Sequence, residues 1–141
     1  MDSLKIKVVL DDGAFMPERA HAADAGFDLR TPVEHTVGPR GSAVVDTGVH
    51  MEIPEGYVGF LKSKSGLNFK HGLRGEGVID SGYTGPIVAK MYNDSDTPHT
   101  FLRGDKVIQI VILPIPVVEL IEAETLEETE RGDGRFGSTG R

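Results

Sequence analysis

The chain has 141 residues, 38% hydrophobic and 26% charged, enough for one globular domain with its own core and too few for two. It has no cysteine, which excludes disulfide frameworks, thiolate nucleophiles and Cys-ligated zinc. The net charge of −7 is unevenly placed: Glu119, Glu122, Glu124, Glu127, Glu128 and Glu130 carry six negative charges in a stretch without Lys or Arg, so the body is near neutral and has no basic face for nucleic acid.

The opening residues Met1 to Ile6 are polar and do not read as a secretory leader. Residues 4–10 alternate and are expected to form a strand that turns at Asp11-Asp12-Gly13. Further strands are expected at 43–53, ending at Pro54-Glu55-Gly56, and at 57–61. The one helix expected fills Leu67 to Lys70, capped by Ser63 or Ser65 and ended by Gly72. Residues 77–85 read as a hairpin that returns near Val88, and 87–92 as a strand stopped by Asn93-Asp94-Ser95-Asp96. A short run at 97–102 turns at Arg103-Gly104-Asp105 into a strand at 106–113. The longest apolar stretch, Val107 to Val118, is interrupted by Gln109 and two prolines, so no membrane span is expected. These readings place the protein in the cytoplasm with no membrane partner.

With 18 glycines and 8 prolines, turn signals recur about every ten residues, the pattern of a sandwich, jelly roll or barrel. The strand at 106–113 is apolar on both faces: Val107, Val111 and Leu113 flank Gln109, and Ile108, Ile110 and Ile112 lie opposite. Such a strand needs cover on both sides, and the second face is expected to meet another subunit.

Several segments carry chemistry. Lys62-Ser63-Lys64-Ser65-Gly66-Leu67 leads into the expected helix with hydroxyls and ammonium groups, a ready anion site or simply a capped helix start. Asp80 stands at a strand end before a turn, with Tyr83 beside it, as a held carboxylate or an ordinary turn residue. Residues 132–137 match G-x-G-x-x-G without a βαβ unit, so they are no dinucleotide fingerprint. A tail of glycines, hydroxyls and arginines also describes a phosphate-wrapping arm. His21, His35, His50, His71 and His99 show no metal-ligand spacing.

Taken in order, five segments resemble the five motifs of the homotrimeric dUTP diphosphatase (dUTPase) family. They are Ala25-Gly26-Phe27-Asp28-Leu29, Lys62 to Leu67, Gly77 to Gly85, Gly104-Asp105-Lys106-Val107-Ile108-Gln109, and Arg131 to Gly140. The resemblance spans residues 25–140. It implies an all-β fold, a distorted jelly-roll β-barrel of the β-clip type with one short helix, assembled as a homotrimer with shared active sites. The barrel would occupy residues 1–118, and residues 119–141 would form an acidic strap and a mobile glycine-rich arm. The implied reaction is dUTP + water → dUMP + pyrophosphate with Mg2+, which keeps uracil out of DNA and supplies dUMP for thymidylate synthesis.

The same resemblance implies roles for single residues. Asp80 would deprotonate the water that attacks the α-phosphorus, since a carboxylate is ionised at neutral pH and accepts a proton. Gln109 would donate to the phosphates or the water. Tyr83 would pack on the deoxyribose, and Gly77, Val78, Ile79 and Val88 would present the uracil edge with backbone partners. Lys64, Ser65 and Gly66 would bind phosphate oxygens, Arg131 the γ-phosphate, and Phe136 would stack on uracil while Gly137, Ser138 and Thr139 close over the triphosphate. Asp28 would hold magnesium through water. The chain departs from the family's common pattern at Lys64, where Arg is usual, at Phe27, where Tyr is usual, at Arg135, where Gly is common, and at Arg74, where many members have Asn six residues before the catalytic Asp. Two alternatives share the scaffold. A dCTP deaminase would need a glutamate ten residues past Asp80, where this chain has Lys90. A nucleotide-binding regulator would not need Asp80.

The tail has too few apolar side chains to fold alone. Deleting Arg131 to Arg141 is expected to leave the melting temperature nearly unchanged while removing most turnover, with both measured on one preparation. Wild-type turnover in the truncated chain would make the tail merely a glycine-rich end.

Overall fold

Turn chemistry cuts the chain into eleven short strands and one helix. The computed structural model describes residues 2–134. In chain order the elements are β1 (Val8–Leu10), β2 (Gly26–Arg30), β3 (His35–Val37), β4 (Ser42–Asp46), β5 (Val49–Met51), β6 (Tyr57–Lys62), α1 (Ser65–His71), β7 (Leu73–Arg74), β8 (Gly77–Ile79), β9 (Val88–Asn93), β10 (His99–Phe101) and β11 (Lys106–Pro114). The run expected as one strand over 43–53 is two, because Gly48 takes a left-handed φ of 68° and its N–H is held by the Asp46 carboxylate at 2.9 Å.

All strand pairs are antiparallel. A four-stranded sheet runs β2-β11-β6-β8, a three-stranded sheet runs β4-β9-β7, and β1-β5 and β3-β10 form two ribbons. One apolar cluster joins all four: Leu29, Leu61, Ile108 and Ile110 from the first sheet, Val45, Leu73, Ala89 and Met91 from the second, Val49 and Met51 from one ribbon, Val37 and Phe101 from the other. This is the distorted jelly-roll barrel with one short helix that the sequence led us to expect.

Three local expectations are corrected. Neither serine caps α1: Lys64 is the N-cap residue and no side chain caps the helix. Ser63 is instead tied to Gly75, donating from Oγ to its carbonyl at 3.1 Å and accepting from its N–H at 3.0 Å. The helix does end at Gly72, in the left-handed conformation expected of a glycine stop. Second, β8 and β9 are not a ladder-paired hairpin. β8 pairs with β6 and β9 with β4 and β7, because Ile87 is drawn across to β5 by its N–H bond to the Val49 carbonyl at 2.8 Å. Third, Val107 on the second face of β11 is fully buried within this chain. A register shift between Lys106 and Ile108 turns it inward, and that face opens progressively through half-buried Val111 to Leu113, which is 40% exposed.

Beyond Pro114 there is no regular element up to residue 134. Ile115 is still anchored by its N–H to the Gly56 carbonyl at 2.8 Å, but Val117, Leu120, Ile121 and Leu126 are exposed. Among the described residues no helix is long and apolar enough to cross a membrane.

Ile110 is fully buried on the central strand. Ile110→Ala is expected to cost about 2–5 kcal/mol through lost burial and the cavity left behind, read as a lower urea midpoint at fixed protein concentration.

Candidate active site

The register of the four-stranded sheet builds the first half of the site. Asp28 on β2 stands opposite Gln109 on β11, which stands opposite Lys62 on β6. Lys64 follows two residues later at the start of α1. The Asp28 side chain is 8% exposed and carries two ion pairs: Lys64 Nζ on Oδ1, and Lys106 Nζ on Oδ2 at 3.1 Å. Burial pushes the Asp28 carboxyl up, but the hydrogen bonds and charges of Lys64 and Lys106 outweigh it and hold the group below its ordinary value.

Gln109 braces this half. Its Nε2 donates to the Ser63 carbonyl at 3.0 Å, and Ser63 in turn holds Gly75. A Cβ at Gly26 would stand 2.1 Å from Gln109 Oε1, so position 26 has to be glycine for the amide to lie there. Gly66 faces open space, which leaves the backbone at the start of α1 approachable. Two ammonium groups around one carboxylate leave a net positive charge beside that backbone.

The second half surrounds Asp80. Ile79 pairs with Gly59, which pairs with Ile112. Asp80 lies one residue further out, in a turn closed by the Tyr83 N–H on the Asp80 carbonyl at 3.2 Å, with Gly82 at φ 87°. The Tyr83 hydroxyl donates to the Pro86 carbonyl at 2.7 Å. A Cβ at Gly85 would sit 2.5 Å from that hydroxyl, so the glycine lets the ring fold back on its own loop. Val78, Tyr83 and Val88 are all exposed, an apolar surface on the segments that flank Asp80. Asp80 also borders a cleft of about 290 Å³ with Tyr57, Val58, Ile115 and Val117.

Within one chain the two halves do not meet. The Asp28–Gln109–Lys62 row and the Ile79–Gly59–Ile112 row lie three residues apart along β11, about 10 Å at roughly 3.3 Å per residue. Lys64 and Asp80 lie beyond those rows in opposite directions.

The remaining candidates are dispersed. Arg74 is on β7, its Nε bonded to Asp94 at 2.7 Å and its guanidinium 4.7 Å from the Tyr92 ring centroid. Arg131 is exposed and bonds the Gly134 carbonyl at 3.1 Å. Arg135, Phe136, Gly137, Ser138 and Thr139 lie outside the described residues. Lys106 is the residue that sequence reasoning passed over. Its signal was present, a lysine after Gly104-Asp105 entering a strand, but its partner Asp28 is 78 residues away.

Three comparisons place these features among known proteins. A family model described as dUTPase matches residues 12–140. The deoxyuridine 5'-triphosphate nucleotidohydrolase of Corynebacterium efficiens is 39% identical over 145 aligned positions, covering 100% of this chain and 80% of that protein. The protein of the same name from Oryza sativa subsp. japonica is 42% identical, covering 97% and 80%. Among solved structures, a mutant dUTPase of Staphylococcus bacteriophage 80alpha with dUpNHpp superposes with a TM-score of 0.91 at 33% identity, covering 99% of this chain and 100% of that one. A mutant dUTPase of phage phi11 of S. aureus, described with a structural Mg(II) ion, superposes with a TM-score of 0.82 at 32% identity, covering 89% and 100%.

The Asp28 cluster sets a pH dependence. A carboxyl held below its ordinary 3.8 contributes stability that is present above that value and lost as pH falls through the lower, folded one. Asp28→Asn is expected to lower stability at neutral pH by about 1.5–3 kcal/mol, the range for hydrogen bonds to a charged group. The gap to the wild type should close as pH falls below 3.8, measured by denaturation across acidic buffers. A gap that persists unchanged into acid would contradict the ion-pair account.

Proposed function

The chain belongs to the dUTPase family, and from that premise we propose how its residues hydrolyse dUTP to dUMP and pyrophosphate. The observation that carries the reading is the split just described: a carboxylate flanked by exposed apolar surface at one end of the sheet, and lysines gathered on a buried carboxylate at the other.

Asp80 accepts a proton from water as its oxygen attacks the α-phosphorus. The bond from that phosphorus to the oxygen bridging to the β-phosphate breaks, and pyrophosphate leaves. The Tyr83 ring packs on the deoxyribose where a 2′-hydroxyl would have no space. The backbone of Gly77, Val78 and Ile79, with Val88, borders uracil. Lys64, with the backbone of Ser65 and Gly66, takes phosphate oxygens. Gln109, already bonded to Ser63, holds that turn in place and turns its remaining amide proton to the phosphates or the water. Arg131 meets the γ-phosphate, and Phe136, Gly137, Ser138 and Thr139 complete the enclosure. Closure removes water from all but the attacking position and aligns the phosphates for in-line displacement. Arg74, three residues before Gly77 and held by Asp94, stays with the substrate-binding set, at the position where many members have Asn.

Magnesium enters as part of the substrate, chelated by the triphosphate oxygens. Each oxygen of Asp28 already faces an ammonium group, and among the described residues no three His, Cys, Asp or Glu side chains gather to hold a metal. The residues present do not fit a metal bonded directly to Asp28; a magnesium ion would reach this carboxylate through water, as the family resemblance implies.

The separation of the halves supports an assembly in which neighbouring copies complete each site. Asp80 of one copy and Lys64 of another would then face a single triphosphate, in a homotrimer. The exposed Val117, Leu120 and Ile121 support residues 119–141 as a strap reaching that neighbour. A cytoplasmic location fits a cysteine-free chain acting on free nucleotides. The dCTP deaminase and regulator alternatives are not favoured, since the relatives reported above are named for dUTP hydrolysis, and Lys90 stands where the deaminase needs a glutamate.

Pyrophosphate release from dUTP tests the reading. Asp80→Asn is expected to lower turnover by at least ~10²-fold with nucleotide binding retained, and Lys64→Ala to be impaired separately. Mixing the two variants under subunit exchange should restore activity that neither has alone. Near-normal turnover in Asp80→Asn removes the base assignment, and failure to complement removes the shared site.

A further inference from the structure

His50 on β5 is bonded through both ring nitrogens. Nδ1 lies 2.7 Å from the Thr84 carbonyl and Nε2 lies 3.0 Å from Asp11 Oδ1. A carbonyl oxygen only accepts, and an ionised carboxylate only accepts. Both bonds are therefore made at once only when both nitrogens carry protons, that is, when the ring is an imidazolium.

Thr84 belongs to the turn that carries Asp80 and Tyr83. Among the described residues, the bonds of Tyr83 are internal to that turn, to Asp80 and Pro86. Pairing on its first side ends at Ile79 and resumes on its second side at Ile87. The His50 bond is the one hydrogen bond in the described structure that ties Ser81–Pro86 to another part of the fold. His50 stands opposite Val9 on β1, and Asp11 follows directly after that strand, so the bond fastens the turn to the β1-β5 ribbon.

We propose that His50 is a positioning residue for the hydrolysis: as an imidazolium bridging Asp11 and the Thr84 carbonyl, it holds the Asp80–Tyr83 turn in its working place and makes turnover depend on that proton. The proposal rests on Asp80 and Tyr83 acting as described above. Loss of the proton leaves one ring nitrogen facing an acceptor without a hydrogen, so one of the two bonds breaks and the turn loses its tie or its brace. The surroundings favour the charged ring. The Thr84 carbonyl contributes most, Asp11 next, Asp46 adds a more distant charge, and partial burial opposes them. Lys7 and Glu52, of opposite sign, line the same cleft of about 370 Å³. His50 is thereby held above its ordinary 6.5. The clamp is intact at and below that pH and is lost as pH rises through the higher, folded value.

The test uses the full-length protein with three variants of the clamp and Asp80→Asn. Nitrogen-15 spectra of the His50 ring should show both nitrogens protonated at neutral pH, and Asp11→Asn should lower the pH at which the proton is lost. In pyrophosphate-release assays, the wild type should lose kcat, more than KM, as pH rises past the His50 transition seen by NMR, and Asp11→Asn should move that limb to lower pH. His50→Gln should lower kcat roughly tenfold to hundredfold at neutral pH, the scale of a displaced catalytic group, and flatten the limb. His50→Arg, which keeps two donors, should recover part of the loss. Asp11 is 57% exposed on its side chain, so Asp11→Asn keeps the test decisive if His50→Gln fails to fold. A neutral ring at neutral pH, or unchanged kcat and pH profile in both His50→Gln and Asp11→Asn, overturns the clamp. A failed Asp80 assignment reads differently: Asp80→Asn would then keep normal turnover while the His50 spectra stand unchanged.

Discussion

Strand β11 is hydrogen-bonded along both edges, to β2 and to β6, so its register decides what stands beside what across the main sheet. A slip of one residue would turn Ile108 and Ile110 out of the core and Gln109 into it. With the observed register, Gln109 lies between Asp28 and Lys62, close enough for its amide to reach Ser63 and to claim the space above Gly26. Lys106, just ahead of the register shift, reaches Asp28. The same pairing carries β8, and with it Asp80, past the other end of the sheet. The core contacts that stabilise β11 and the separation of the Asp28 and Asp80 halves are thus two consequences of one alignment.

Electrostatics at the first half follow from burial. A carboxylate as enclosed as Asp28 would be costly alone, and two lysines this close to each other would repel. Each condition offsets the other, and the result is a preassembled cluster with a net positive charge at the start of α1. The glutamates of residues 119–130 are all exposed and account for most of the chain's net charge of −7. The chain can therefore be acidic overall while one small surface stays suited to an anion.

What the sequence made legible was short-range chemistry. Glycine at 72 and the turn at Asp80-Ser81-Gly82 announce themselves in neighbouring residues, and so does the alternation of β11. Strand β2 was not legible, because Gly26 and Asp28 are residue types that strands disfavour. They sit there because Gln109 needs the space above one and two lysines need the charge of the other. The capping serine was misread for the same reason: Ser63 has a better partner in Gly75, which no local pattern reveals. The corner between β8 and β9 looked like a hairpin because its turn residues suit one, while the bond from Ile87 to Val49 that pulls the chain to the other sheet joins positions 38 residues apart. His50 carried no signal at all, since its two partners lie 39 residues before it and 34 after it.

Lys64 bears on how the first half receives its ligand. An arginine here would bind a carboxylate or a phosphate with a planar fork and strong directional preference. Lysine offers a compact charge on a flexible stem, and in this chain that charge rests on Asp28, leaving the other carboxylate oxygen on Lys106. Were the ammonium to swing from Asp28 to an anion, Lys106 would keep the carboxylate paired, so the movement would not strand a buried charge. A single lysine on Asp28 would have made the same movement expensive. The second lysine therefore does more than add positive charge: it would keep Asp28 paired if the first one left.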